Sequence, residues 1–383
     1  MRLTRWEMGK MMMMMMKNRK GVAFLFFLVS IVLMMIKHHH ITMTPDAAWI
    51  EDKDFYQEHL QRPLQREVQA NDVTPVHSGH NVHEIQTNSS PSYNITETQE
   101  QRQKAVRETC AAYGGGDTNA FISRNLTDGQ LSGLSYIYAI PEFKLLYCSI
   151  PKVGCTSWKR LILNLTGYAD ALAELEKEKG ALSVHETMQR IFQPLSKMDP
   201  GEAREVLKSY KKFMFVRNPY TRVLSAYRDK LILDKHSKWR DEMLEWMVTE
   251  DPQAAADVFL GRRNFTFEEF LRFYLSPINN NPHWREYYRL CLPCLVSYDF
   301  IGKFETMATD SRYILDTLFR GNSSVGLSKS KRVTNSSNNA SLMDFYSRVP
   351  KDLLRRVSMY GGFTIDSKLF SYDVPGFIQE LIH

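Results

Sequence analysis

Three times in this chain of 383 residues a short apolar run leads through a polar turn into a segment patterned as a helix. "EFKLLYCSI" (142–150) runs through "PKVG" into a segment with Trp158, Leu161, Ile162 and Leu165 at helical spacing. "KKFMFV" (211–216) precedes "RNPYTRVLSAYRDKLIL", where Pro219 stands near a helix start and Val223, Leu224, Tyr227 and Leu231 share one side. "SYDFIGKFE" (297–305) precedes "MATDSRYILDTLF". Such alternation predicts an α/β domain with a central parallel sheet flanked by helices. Ligands then bind beyond the carboxyl ends of the strands.

Two of these turns carry chemistry. The first holds Lys152, Thr156 and Ser157 where a helix begins, and exposed N–H groups at a helix start favour an anion. In the second, Arg217 ends a strand and Ser225 lies two helical turns on, a pairing suited to a phosphate monoester. Singly, each turn reads equally well as solvated surface or an ordinary ion pair. Together, on neighbouring strands, they point to a ligand with an anionic group at each end. No G-x-x-x-x-G-K-[ST] occurs, which disfavours an ordinary P-loop ATPase or kinase.

The N-terminus carries a different signal. An apolar run, Gly21 to Ile36, follows Lys17, Arg19 and Lys20 and is succeeded by Lys37 and three histidines rather than by a small-residue cleavage site. At ~1.5 Å per residue it spans ~24 Å, suited to a thin early-secretory membrane. The expectation is a type II signal anchor: residues 1–20 cytoplasmic, 21–36 spanning, 37–104 a polar luminal stem and 105–383 the globular domain. Sequons at Asn88, Asn94, Asn125, Asn164, Asn264, Asn322, Asn335 and Asn339 agree with a luminal glycoprotein. A net charge of +6 over this length permits an acidic partner, and no nucleic-acid-binding module is recognisable.

The five cysteines are Cys110, Cys148, Cys155, Cys291 and Cys294. "CLPC" lacks the second pair that a structural zinc site needs, so disulfides are expected, their connectivity open, with Cys155 the expected free thiol.

Three segments resemble one family. "IPKVGCTSWKRL" is similar to the 5′-phosphosulfate loop of the Golgi carbohydrate sulfotransferases, and "FVRNPYTRVLSAYRDKL" to their 3′-phosphate segment. "CLPCLVSYDFIGKFET" resembles a block of their chondroitin and dermatan 4-O-sulfotransferase branch, and the resemblance extends from about Cys110 to the C-terminus. It implies a P-loop-like sulfotransferase domain, a Golgi membrane location, 3′-phosphoadenylyl sulfate as donor, a glycan or glycosaminoglycan acceptor and no metal.

Carried over by position, Pro151, Lys152, Val153, Gly154, Cys155, Thr156 and Ser157 would wrap the 5′-phosphosulfate. Arg217, Asn218, Pro219, Tyr220, Thr221, Arg222, Val223, Leu224 and Ser225 would hold the 3′-phosphate, chiefly through Arg217 and Ser225. Gly154 stands where many members of the branch have alanine. Lys152, read as an exposed loop lysine, would neutralise the leaving oxygen. The base for the acceptor hydroxyl would be His185, with Glu186 and His283 as competitors. Basic residues in "SKSKR" (Lys329, Lys331, Arg332) and "KDLLRR" (351–356) are candidates to line an acceptor groove. The acceptor implied is position 4 of N-acetylgalactosamine, with a terminal glucuronic acid or a catalytically inactive glycan-binding protein as alternatives.

Overall fold

The computed structural model describes residues 94–114, 126–179, 183–235, 237–319, 321, 326–327 and 334–382. The apolar run 21–36 and the stem up to residue 93 lie outside the described residues. Among those described, no helix is long and apolar enough to cross a membrane.

Four strands form one sheet in the order β1 (Ile137–Ile140), β2 (Leu145–Cys148), β3 (Lys211–Val216) and β4 (Phe300–Lys303). β2, β3 and β4 run parallel, but β1 pairs antiparallel with β2, so the sheet is mixed rather than parallel throughout. The expected architecture needs that correction. β1 returns into β2 through a single 3₁₀ turn at Pro141–Phe143 with Lys144 in the left-handed region, a hairpin without an Asn-Gly signal. All of β1 and β2 is buried, as continuous apolar runs require.

The helix after β2, Cys155–Leu165, lays Trp158 against Phe213, Phe215 and Phe319, with ring centroids 4.9–6.4 Å apart. Tyr147 stacks on Phe213 at 4.8 Å. Gly302 is required by this layer: a Cβ there would lie 2.2 Å from the Phe215 ring across the parallel register. The helix after β3, Pro219–Tyr227, is capped by the Asn218 side chain and buries Tyr220, Val223 and Leu224 in a second apolar cluster with Phe270, Trp284, Tyr346 and Phe363.

Both sheet edges are covered. Beside β1, Pro194 bridges Tyr138 and the Gln193 carbonyl accepts from the Ala139 N–H. Beside β4, helix Ile95–Gly114 supplies side chains in place of a fifth strand. The Gln99 amide both accepts from the Ile301 N–H (2.9 Å) and donates to the Ile301 carbonyl (3.1 Å), and Gln103 donates to the Asp299 carbonyl at 2.7 Å. Arg102 donates to the Ile301 carbonyl at 2.7 Å and pairs with buried Asp310 at 2.8 Å. The packed domain therefore starts no later than Ile95, ten residues before the boundary expected from composition. Glutamine and arginine that looked like stem are used here to satisfy a sheet edge.

Candidate active site

Two disulfides brace the region: Cys148–Cys291 ties the end of β2 to helix Tyr287–Cys291, and Cys110–Cys294 ties the N-terminal helix to the same segment. Cys155 is the free thiol, as expected, and it is buried.

The turn from β2 into its helix is wound tightly, with Lys152 at φ 72° and Gly154 at φ 88°. Gly154 is the N-cap residue and makes no side-chain cap bond. A positive φ there strains any side chain, which explains glycine better than a mere need for smallness. Val153 is fully buried, so its side chain supports the turn from below.

Lys152 is not the exposed lysine expected. Its Nζ donates to Asp229 Oδ2 at 3.0 Å, and Lys230 reaches the same oxygen at 3.3 Å. Burial draws the Lys152 ammonium below its usual range and Asp229 offsets this only in part. Burial pushes the Asp229 carboxyl up, but Lys152 and Lys230 together outweigh it and hold it at about 2. Asp229 sits in a π turn, Arg228–Leu233, that continues the helix after β3.

Arg217 is 4% exposed. Its Nε donates to Thr221 Oγ1 (3.0 Å), Nη1 to the Lys152 carbonyl (3.3 Å), and Nη2 to Ser336 Oγ (2.9 Å) and Ser337 Oγ (2.7 Å). None of these partners is a carboxylate. Burial lowers the guanidinium to about 10, so it keeps its charge at neutral pH. Phe304 lies beneath it at 4.3 Å. Ser225 Oγ meets Thr334 Oγ1 at 3.1 Å, and Thr334 meets Ser336 at 2.8 Å. The sequence-chosen pair is thus joined by a run of hydroxyls.

The stretch 217–225 does not act as one surface. Arg217, Thr221 and Ser225 share a face, whereas the Tyr220, Val223 and Leu224 side chains belong to the core and Pro219 is buried at the helix start. Asn218 caps that helix and takes the Glu305 carboxylate on its backbone N–H at 2.8 Å. Arg222 is a clamp: it donates to the carbonyls of Pro151 (3.1 Å), Pro282 (3.1 Å) and Arg285 (2.7 Å). In this structure these side chains pack into the core or brace the backbone.

Lys159, buried one turn below Thr156 and Ser157, lies 3.1 Å from His185 Nδ1, and Thr156 Oγ1 lies 3.5 Å from His185 Nε2. Burial, then Lys159 and Lys230, push His185 down to about 3. Glu186 pairs with Arg190 on the same helix. His283 bonds Asn281 through Nδ1 at 3.0 Å.

Sequence reasoning missed Asp229, Lys230 and Thr334–Ser337. A signal existed for the first: Arg217, Thr221, Ser225 and Asp229 recur every four residues, a polar stripe that runs from before helix Pro219–Tyr227 to just past it. Lys329, Lys331 and Arg332 lie outside the described residues. In "KDLLRR", Leu353 and Leu354 are core while Lys351, Arg355 and Arg356 are exposed.

A sequence model described as the sulfotransferase family matches residues 136–373. Human carbohydrate sulfotransferase 9 is 29% identical over 294 residues, covering 73% of this chain and 61% of that protein. Mouse carbohydrate sulfotransferase 11 is 28% identical over 296 residues (73% and 77%), and Xenopus laevis carbohydrate sulfotransferase 12 is 31% identical over 276 (66% and 63%). The chain thus spans less than two thirds of the first of these relatives. No solved structure matches significantly.

Proposed function

Because this chain belongs to the sulfotransferase family, with carbohydrate sulfotransferases among its relatives, we propose that it transfers a sulfuryl group from 3′-phosphoadenylyl sulfate to a glycan hydroxyl. The observation that carries the reading is Arg217. A buried guanidinium whose hydrogen-bond partners are three hydroxyls and a carbonyl bonds no carboxylate directly, although Glu305 acts on its charge through space, and its Nη1 touches the loop that carries Lys152. A dianionic 3′-phosphate would complete that pocket, and the uncapped helix start at Gly154 would take the 5′-phosphosulfate.

When bound, the donor supplies an electrophilic sulfur and a good leaving group. Lys152 stands ready to neutralise charge on the departing oxygen, and Asp229 fixes where its ammonium sits. Thr156 and Ser157 at the first helical turn offer hydroxyls to the sulfate oxygens, and Arg222 holds the loop carbonyl at Pro151 so that these groups are pre-positioned.

The acceptor is most simply position 4 of N-acetylgalactosamine in chondroitin or dermatan, a reading supported by the "CLPCLVSYDFIGKFET" block. We place the catalytic domain in the Golgi lumen behind a single-pass anchor at 21–36; two disulfides support an oxidising compartment. The test is transfer of labelled sulfate by the full-length protein to chondroitin, dermatan and a glucuronic acid-terminated glycan. Label in chondroitin or dermatan that maps to position 4 is the expected result. Sulfation of only the third substrate would overturn the acceptor, and binding ATP in preference to adenosine 3′,5′-bisphosphate would overturn the donor.

A further inference from the structure

Sulfuryl transfer needs a base with a free lone pair beside the reacting centre, and two histidines compete for the role. Hydrogen-bond logic separates them. His185 faces the Lys159 ammonium through Nδ1 at 3.1 Å. An ammonium can only donate, so Nδ1 accepts and the ring proton sits on Nε2, directed at Thr156 Oγ1. The lone pair of His185 is therefore already engaged, and it can take no proton from a substrate without displacing a buried lysine.

His283 is the opposite tautomer. The backbone N–H of His283 donates to Asn281 Oδ1 at 3.0 Å, which fixes that atom as the amide oxygen. The other end of the amide agrees, since Asn281 Nδ2 points at Glu242 Oε2 at 3.4 Å. His283 Nδ1, 3.0 Å from the same oxygen, must then carry the proton. Nε2 keeps its lone pair and bonds no protein group among the described residues. Trp239 packs edge-on against the ring at 5.3 Å and holds its plane.

The same turn is tied to the donor loop. One guanidinium, Arg222, holds the carbonyl of Pro151, next to Lys152, and that of Pro282, next to His283. We propose that His283, and not His185, is the catalytic base, with Asn281 and Glu242 setting its tautomer and His185 a positioning residue for Thr156. The proposal rests on the sulfotransferase reading above.

In the step, the acceptor hydroxyl proton passes to His283 Nε2 as its oxygen forms the new O–S bond. The S–O bond to the phosphate breaks, and its electron pair leaves on adenosine 3′,5′-bisphosphate beside Lys152. Burial, then the charges of Lys230 and Lys152, keep His283 well below the usual histidine range, with Asp229 in part opposing and Arg222 adding to the effect. The ring is thus neutral, with the Nε2 lone pair unprotonated before the acceptor binds.

Two measurements test this. In ¹⁵N-histidine spectra of the full-length chain in detergent, without donor, the resonance lost in His283→Gln should be a neutral Nδ1–H tautomer, and the one lost in His185→Gln an Nε2–H tautomer. An Nε2–H tautomer at His283 overturns the proposal. In turnover, His283→Gln should lower kcat by about 10²- to 10⁴-fold with adenosine 3′,5′-bisphosphate binding unchanged. His185→Gln should mainly raise the donor KM and leave the pH profile in place. Near-wild-type transfer by His283→Gln also overturns it, whereas a wild-type protein that sulfates no glycan removes the function itself. Should His283→Gln fail to fold, Asn281→Asp serves: a carboxylate at Nδ1 should move the acid limb of kcat/KM up by about one unit or more. An unmoved limb counts against His283.

Discussion

Arg217, in the turn after β3, and Ser225, on the helix that follows, stand eight residues apart, and the hydroxyls of Thr334 and Ser336 connect them, since Ser336 meets Arg217 at 2.9 Å and Thr334 meets Ser225 at 3.1 Å. Both groups therefore face one small volume. Arg217→Ala should weaken adenosine 3′,5′-bisphosphate by about 10- to 100-fold, the worth of a charge-assisted bond, and adenosine 5′-phosphate far less. Ser225→Ala should act in the same sense but more weakly. Calorimetry with both nucleotides decides it: equal losses would place the residues elsewhere.

Lys152→Ala should cost about 10²- to 10³-fold in sulfate transfer, the usual effect of removing one group that stabilises developing charge. Its effect on folding should be a drop of only a few degrees in melting temperature, because Asp229 retains Lys230. Parallel melting and turnover assays check the pair of effects. A variant that transfers sulfate normally removes Lys152 from the mechanism.

Asp229 gives a pH signature. Its folded-state pKa is depressed to about 2, so its stabilising contribution is complete above the ordinary value near 3.8 and is lost as pH falls through the folded value. The contribution is about 2 kcal/mol. Denaturant titrations should therefore show wild type and Asp229→Asn well separated at pH 5 and above and converging between about pH 4 and 2. A gap that stays constant down to pH 2 would contradict the ion-pair assignment.

The start of the domain predicts what a secreted form of the protein needs. A chain beginning near residue 94 behind a cleavable signal keeps Gln99, Arg102 and Gln103 and should be secreted as active protein. One beginning at Val106 loses all three edge contacts and should be retained or degraded. The full-length chain should resist alkaline carbonate extraction and shift on glycosidase treatment. Equal secretion of both truncations would show that the helix is dispensable.

Cys148→Ser, which opens the bridge to Cys291 across 143 residues, should destabilise the domain by about 2–5 kcal/mol. Chemical denaturation without reductant measures it. A change below about 1 kcal/mol would mean that the bond adds little to a turn already clamped by Arg222.

Much of this was legible in the sequence, and what was not has local causes. β3 coincides with "KKFMFV", because a continuous apolar run bounded by a polar turn has few other solutions. Lys152, Arg217 and Ser225 could be singled out because strand ends and helix starts are where an anion site is sought, and the structure brings the Lys152 loop and Arg217 into contact. Asp229 escaped because it lies just past helix Pro219–Tyr227, in the π turn, where the last member of a four-residue polar stripe reads like solvated surface. Thr334–Ser337 escaped because a serine-rich stretch resembles any loop until a distant arginine gives its hydroxyls a partner. The N-terminal helix was hidden by its polarity, which serves the edge of a sheet about 200 residues away.

That edge has a consequence beyond stability. A four-stranded sheet with bare margins invites a fifth strand from any neighbouring chain. Here Pro194 offers no N–H to extend one margin, and the Gln99 amide occupies the other as a strand would. Helix Ile95–Gly114 is thus also the sheet's guard against self-recruitment. A proteolytic cut within 95–104 would strip Gln99 and its neighbours from that margin and leave the remaining domain adhesive.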